Sequence, residues 1–461
     1  MTRSARRRRV RPPQAVVLGF LTAIAVGTVL LALPLSHAPG MRLTLSDALF
    51  MATSAVCVTG LIVVDPGTAL SPLGEAVLLL LIKTGGLGVL SVGALVAFTL
   101  GRRLGVADRL GLQVQTNRLQ VAGVVRFVRA LVLVTTGIEL LGALALWPGF
   151  AREAGWTSGA WLALFHSVSA WNNAGFSLFA DSLVGFVADP AVALVVVALF
   201  VAGGLGLVVV TDVGVALRAR FDRGRAEPGR VGRRRVPLTL HTRLALATTG
   251  ALVVLGIVGI AMLEWRNPAT LGALPWPARL IAAVFQGLTP RTAGFNVVDV
   301  AAMTPPGQAF TSLLMFVGGN PGSTAGGVKT TTVAVLLLAA IAVGRGRGDA
   351  VVYGRTLGAA LVGRAAALAT WASAVLVVAV VTLGVTDPDV PFGALAFEAV
   401  SAFGTVGLSM GATPLLSEAG RLIIVALMFV GRVGLLTLAL AVAEVPVDQV
   451  RRYPREDVVI G

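Results

Sequence analysis

Four short stretches carry the residue types that can strip the water from a bare monovalent cation, and they recur at near-constant spacing. They read SAVCVTGL at 54–61, SAWNNAGF at 169–176, LTPRTAGF at 288–295 and SAFGTVGL at 401–408. Their glycines, Gly60, Gly175, Gly294 and Gly407, are 115, 119 and 113 residues apart. A phenylalanine stands ten residues before the glycine in three cases (Phe50, Phe165, Phe397) and nine before in the fourth (Phe285). A second glycine follows each first one after 24 to 28 residues, at Gly85, Gly203, Gly318 and Gly431. A register held four times is an internal repeat. Backbone carbonyls converging from four such loops would replace a cation's hydration shell. Glycine lets them turn inward without a Cβ in the way.

A different chemistry is offered by MFVGGNPGSTAGGVKTTT at 315–332, set between apolar runs. Within 318–328, five of eleven residues are glycine, and Asn320, Pro321, Ser323 and Thr324 stand among them. Glycine and proline cost a helix about 1 and 3 kcal/mol relative to alanine, so the helix should unwind there. The freed backbone then needs water or protein partners. A broken helix beneath the glycine loops is well placed to plug a pore and to move, with Lys329 and Thr330–Thr332 restarting the helix. The plainer alternative is a static kink packed against its neighbours. Arg432 holds the place in the fourth repeat that Gly86 and Gly204 hold in the first two. A mid-span cation costs at least about 2.5–3.5 kcal/mol on the insertion scale, so it should face a watery interior or an acidic partner. Facing the pore, it would repel a cation and donate to the carbonyls of the 318–327 loop. The alternative is a structural charge satisfied elsewhere. Lys83 is also intramembrane and would snorkel or pair with an acid such as Glu139.

The elements that must position these residues follow from length and hydropathy. The chain has 461 residues, 56% hydrophobic and 13% charged, with mean hydropathy +0.87. Apolar runs at Ala15–Leu35, Ala76–Leu100, Ala191–Leu217, Leu244–Met262 and Ala365–Val385 approach the length that crosses a bilayer as helix. The segments before each glycine loop, Ser46–Val56, Ser158–Trp171, Pro277–Leu288 and Pro391–Phe403, have eleven to fourteen residues. That is too short to span and fits a re-entrant half-helix. Ser46–Asp47 and Thr157–Ser158 read as N-caps and Pro277 as a first-turn proline. The C-terminal ends would aim partial negative charge at a central cavity. The alternative is four ordinary loops between spans.

Charge sets the topology. The net charge is +15, and 28 of the 37 Lys and Arg lie in 1–11, 102–129, 218–243, 345–364 and 451–455. Basic loops stay cytoplasmic, so both termini are expected inside and an even number of crossings separates each basic segment. The charge therefore reads as topology rather than as a nucleic-acid surface. Every linker being basic, all four repeats share one orientation, unlike the inverted halves of many secondary transporters. The expected division is a basic N-terminus at 1–13, repeats at 14–100, 101–220, 221–345 and 346–446, and a cytoplasmic tail at 447–461.

These motifs together resemble the Trk/Ktr/HKT superfamily of potassium transporters, within it most closely the Ktr-type membrane subunit. TSAVCVTGL, WNNAGF, TPRTAGF, SAFGTVGL, VGGNPGSTAGGVKTTT and FVGRVGLLTLAL carry the resemblance, which covers about residues 14–461. It implies an all-α integral membrane protein of four M1–pore helix–M2 repeats in pseudo-four-fold order, with eight spanning helices and four re-entrant half-helices. It implies a K⁺ filter at Val58, Thr59 and Gly60; Asn173, Ala174 and Gly175; Thr292, Ala293 and Gly294; Thr405, Val406 and Gly407. Serine at the first filter glycine goes with Na⁺ preference in the plant branch, so Gly60 points to K⁺. The resemblance makes Gly318, Gly319, Asn320, Pro321, Gly322, Ser323, Thr324, Ala325, Gly326 and Gly327 the intramembrane gate, with Arg432 in the constriction. It also implies a membrane homodimer and a cytosolic ring of nucleotide-binding RCK subunits; the chain has no GxGxxG unit of its own, so any nucleotide control would come from another polypeptide. The expected function is channel-like K⁺ uptake at the cell membrane by a chain that is not an enzyme. Na⁺ dependence stays open, and the alternatives are a Na⁺-coupled symporter with alternating access or a non-conducting scaffold for a cytosolic enzyme.

The remaining features read plainly. No cofactor is expected, and His37, His166 and His241 are too isolated for a transition-metal site. The GGLG patches at 85–88 and 203–206 read as small-residue packing surfaces. Trp147, Trp156 and Trp276 read as interfacial anchors. The stretch 221–235 is a candidate docking linker, and the tail VRRYPREDVVIG a candidate dimer contact.

Overall fold

In a computed structural model the described residues are 12–88, 124–221 and 237–442. The candidate docking linker at 221–235, from 222 onward, and the C-terminal tail lie outside them, as do the basic segments at 1–11 and 451–455. The structure is mostly helical. Among the described residues four helices are long and apolar enough to cross a membrane, and one stands ahead of each glycine loop. They are α1 (Pro12–Ala32), α4 (Val124–Ala154), α8 (Leu240–Glu264) and α12 (Ala359–Thr386). They present Leu133, Leu141, Val254, Met262, Trp371 and Val378 outward, each more than 60% exposed. Such an apolar exterior is what lipid requires and water penalises.

After each long helix comes a short one: α2 (Leu45–Cys57), α5 (Trp156–Trp171), α9 (Trp276–Leu288) and α13 (Phe392–Gly404). All four lie within two residues of the segments expected from sequence. Their caps differ. Thr44, not Ser46–Asp47, caps α2, in a reciprocal box with Asp47 at the third helical position. Gly155 precedes α5 with no side-chain cap, so Thr157–Ser158 do not serve. Pro277 does sit in the first turn of α9. The register phenylalanines Phe50, Phe165, Phe285 and Phe397 are all at most 2% exposed and tie the short helices into the interior. Two apolar clusters form that interior, one shared mainly by the first and fourth repeats and one by the second and third.

The closing helices of the second, third and fourth repeats are interrupted, a break that was expected in the third alone, and that of the first is described only as far as Gly88. Helix α3 (Pro72–Leu87) stops at Gly88. Helices α6 (Pro190–Leu205) and α7 (Leu207–Phe221) meet at Gly206 with a 95° bend, so Ala191–Leu217 is not one span. Helix α10 (Pro305–Phe316) is separated from α11 (Thr330–Gly344) by the glycine-rich loop, and α14 (Glu418–Val433) from α15 (Leu435–Val442) by Gly434. Gly88, Gly206 and Gly434 have φ of 84°, 82° and 86°, a conformation glycine alone adopts cheaply. In the third repeat the same position is Pro321. The GGLG patches are thus breakpoints as well as packing surfaces. Their first glycines do pack: a Cβ on Gly85, Gly203 or Gly431 would overlap the carbonyl of Val56, Trp171 or Phe403 at the end of the neighbouring short helix.

The all-helical expectation needs one correction. Ala350–Val352 (β1) and Arg355–Leu357 (β2) pair antiparallel between the third and fourth repeats. A small apolar cluster containing Ala350 and Leu357 seats this hairpin against α11, Leu244 and Ala365. Six residues cannot announce themselves by periodicity in a segment read as a basic linker.

Candidate functional site

Each short helix is followed, one to four residues past its end, by a residue in left-handed backbone. Val58, Asn173, Thr292 and Thr405 have φ of 56°, 56°, 73° and 49°. Among the described residues only Ser182 and Tyr353 share that condition without being glycine. For β-branched Val and Thr it is a genuine strain of about 1–3 kcal/mol, kept where the surroundings over-determine it. Two residues on, Gly60, Gly175, Gly294 and Gly407 are also left-handed, at 92°, 70°, 79° and 96°.

The four loops close a ring. A Cβ on Gly60 would strike the Ala174 carbonyl and lie 3.1 Å from the Gly175 Cα. On Gly175 it would lie 2.8 Å from the Gly294 Cα and 2.9 Å from the Ala293 oxygen. On Gly294 it would strike the Val406 carbonyl, and on Gly407 the Thr59 carbonyl. Each glycine therefore faces the middle carbonyl of the next loop, in the cyclic order first, second, third, fourth, first.

The amide hydrogens of these strands point back at the helices behind them. Thr59, Ala174, Ala293 and Val406 donate to the carbonyls of Ser54, Ser169, Thr289 and Ser401 at 2.8, 2.8, 2.9 and 2.9 Å. The hydroxyls of Ser54 and Ser401 accept from the N–H of Gly60 and Gly407, each at 3.1 Å. Those of Ser169 and Thr289 instead donate to the carbonyls of Phe176 and Phe295, at 2.8 and 2.5 Å. This hydroxyl quartet was visible near the start of each repeated octet, yet periodicity alone does not give it a role. Among the described residues, none of the twelve carbonyl oxygens from the three-residue strands accepts a protein hydrogen bond. Buried carbonyls are rarely left so.

Beneath the ring the 317–329 loop folds on itself and against two strands. Val317 bridges Val328, and the Gly318 N–H donates to the Val328 carbonyl at 2.9 Å. Asn320 is the hub. Its amide donates to Leu205 O (3.1 Å) and Thr249 Oγ1 (3.2 Å), and its carbonyl oxygen accepts from Thr330 Oγ1. The Thr324 hydroxyl donates to Asn173 Oδ1 at 2.7 Å, a direct link from loop to second strand. A Cβ on Gly326 would strike the Thr405 side chain, so the loop also touches the fourth strand. Pro321 and Ser323 abut the breakpoint Gly206, and Gly318 abuts Gly326. Lys329 caps α11 and turns its Nζ back onto the Ala325 carbonyl at 2.7 Å. Arg432 donates to the Thr324 carbonyl and, at 2.5 Å, to that of Gly85. Every loop residue singled out by sequence, with Arg432, thus lies in one assembly beneath the ring. A cavity of about 260 Å³ adjoins it, bordered by Gly86, Asn172, Gly203, Thr324, Lys329 and Arg432.

The chain that leaves the fourth strand is braced by a buried acid that sequence did not single out. Glu398 accepts from Ser409 Oγ (2.6 Å), the Met410 N–H (2.9 Å) and Thr413 Oγ1 (2.6 Å), holding the chain that leaves the fourth strand. Glu398→Leu strands three donors, and each buried orphan costs about 1–3 kcal/mol. It is expected to lower thermal stability in detergent by about 3 kcal/mol or more, with Glu398→Gln losing less than half as much. Equal losses for both, or none, would show the brace to be unimportant.

A family model described as a cation transport protein, TrkH, matches residues 11–453. The chain belongs to the TrkH family of cation transport proteins. Ktr system potassium uptake protein B of Bacillus subtilis (strain 168) is 40% identical over 453 residues, covering 98% of this chain and 97% of the relative. Potassium/sodium uptake protein NtpJ of Enterococcus hirae is 36% identical, covering 99% and 98%. The crystal structure of the potassium transporter TrkH from Vibrio parahaemolyticus superposes with a TM-score of 0.71 at 19% identity, covering 96% of this chain and 87% of that one. That likeness concerns the fold. As a TrkH-family member the chain is a membrane transporter of cations and not an enzyme.

Proposed function

We propose that this chain takes up K⁺ through one selective filter, formed by residues 58–60, 173–175, 292–294 and 405–407. The observation that carries the reading is the closed ring of strands whose twelve carbonyls have no protein partner among the described residues. Four repeats at 14–100, 101–220, 221–345 and 346–446, each a span, a re-entrant half-helix and a second span, account for the four long helices, the four short ones and the three interrupted ones among the described residues. The inside-negative potential drives K⁺ inward by about 2.3 kcal/mol per charge per 100 mV. The loop at 318–327 with Arg432 is the gate. It lies against the second and fourth strands and carries a guanidinium where a departing cation would meet it. The names of the relatives support K⁺ as cargo and leave room for Na⁺ as activator. A homodimer in the cell membrane, both termini inside, working with a nucleotide-binding regulatory ring, completes the reading.

The test is uptake of radiolabelled rubidium into vesicles holding the purified chain. Channel-like flux displaced by K⁺ and poorly by Na⁺ is expected. Uptake that saturates and runs at a fixed Na⁺ stoichiometry would replace the pore with alternating access.

A further inference from the structure

Of the ion pairs among the described residues, Lys83–Glu139 is the one inside the membrane segments, and the pathway above does not use it. Arg152–Asp189 and Arg421–Asp47 lie near the outer helix ends. The Lys83 and Glu139 side chains are 19% and 3% exposed, and the pair crosses a repeat boundary, from α3 to α4. A buried ion pair is poor value for stability, since well-packed apolar residues of similar volume often do as well or better. Its geometry shows what else it does. The second Glu139 oxygen accepts from Asn172 Nδ2 at 2.8 Å, and the other hydrogen of that amide goes to Val168 O at 2.8 Å. The Glu139 backbone is pinned too, its carbonyl accepting from Ser167 Oγ at 2.6 Å. From the other side Gly86 presses on Asn172: a Cβ there would overlap the amide oxygen and stand 2.8 Å from the Asn172 Cβ. Asn172 directly precedes Asn173, the left-handed first residue of the second strand.

We propose that Lys83, Glu139 and Asn172 are positioning residues for the second filter strand, and that this clamp between repeats sets how strictly the ring prefers K⁺ to Na⁺. The inference rests on the filter reading above. Lys83 fixes the carboxylate, the carboxylate fixes the Asn172 amide, and the amide fixes where the strand leaves its helix. Gly86 allows the first repeat to close against it.

The experiment is the K⁺/Na⁺ permeability ratio of the full chain in vesicles, with Gly60→Ser run beside each variant. Glu139→Leu and Asn172→Leu should each lower the ratio about tenfold, as loss of one buried hydrogen bond allows. The double variant should lower it no further. Glu139→Gln keeps an acceptor for Asn172 and should lose less, and Gly86→Ala should lower the ratio by pushing the Asn172 amide aside while every donor and acceptor of the clamp is kept. A merely structural pair would reduce the yield of folded protein and leave the ratio alone. Asn172→Leu buries no unpaired charge and decides the matter if Glu139→Leu is not recovered. If Gly60→Ser shifts the ratio and these variants do not, or if the two single effects multiply, the clamp is refuted while the filter stands. If Gly60→Ser is also silent, the filter reading fails and the clamp with it.

Discussion

Deleting residues 319–326 is expected to raise K⁺ flux at least tenfold and to make it indifferent to any cytosolic partner. The geometry favours a clean deletion. Gly318 and Gly327, the residues left at the cut, already touch: a Cβ on Gly327 would lie 3.3 Å from the Gly318 Cα. The Gly318 N–H also holds the Val328 carbonyl at 2.9 Å. Rejoining them asks little of α10 and α11. What is removed is the Asn320 hub, the Thr324–Asn173 hydrogen bond and one of the two acceptors of Arg432. A hydrogen bond from a charged donor contributes about 1.5–3 kcal/mol and a neutral one about 1 kcal/mol. Together they hold the closed loop by several kcal/mol, and each 1.4 kcal/mol is a factor of ten in population. Arg432→Ala removes one of these ties and should raise flux by a smaller factor. Initial rates of rubidium uptake, normalised to reconstituted protein, measure both. Parent-like flux from a folded deletion variant would make the loop a static kink.

The four converging glycine loops were legible in the sequence because their signal is repetition. Glycine at a fixed distance from a buried phenylalanine, four times over, survives changes in everything between. Three of the four long helices were legible for a similar reason, since an unbroken apolar stretch has one physical explanation in lipid; Val124–Ala154, which carries Arg126, Arg129 and Glu139, was not among the runs singled out. The breakpoints were half legible. Gly88, Gly206 and Gly434 share one place in the register with Pro321, but a glycine in an apolar helix is as compatible with close packing as with a bend, and only backbone angles separate the two. The strain at Val58 and Thr405 was not legible at all, because β-branched residues advertise extended strand, not left-handed turn. Nor were the serine and threonine hydroxyls behind the strands. Their partners are main-chain atoms, which leave no trace in residue type. The pairing of Lys83 with Glu139 was one of two open choices. Fifty-six positions of intervening chain hide the contact, and it follows from which two helices the fold brings together.

Gly60→Ser is expected to lower the K⁺/Na⁺ permeability ratio about tenfold with little loss of folded protein. Two costs arise at that position and they separate cleanly. The first is conformational: φ of 92° is outside the comfortable range of any residue with a Cβ, which costs about 1–3 kcal/mol. Stability of about 5–15 kcal/mol can absorb that. The second is local to the ring. The new Cβ would strike the Ala174 carbonyl and sit 3.1 Å from the Gly175 Cα, so the first and second strands must part or twist. Carbonyls so displaced no longer match the larger ion's shell, and the smaller, more strongly hydrated ion loses less by the change. Gly40→Ser supplies the control. Gly40 has φ of 82° and nothing within 4 Å of its Cβ direction, so it carries the first cost without the second. Reversal potentials under bi-ionic conditions read the ratio. A shift in Gly60→Ser with none in Gly40→Ser assigns selection to contact between strands, because backbone strain is common to both. Equal shifts would assign it to strain alone, and no shift in Gly60→Ser would remove this glycine from the filter.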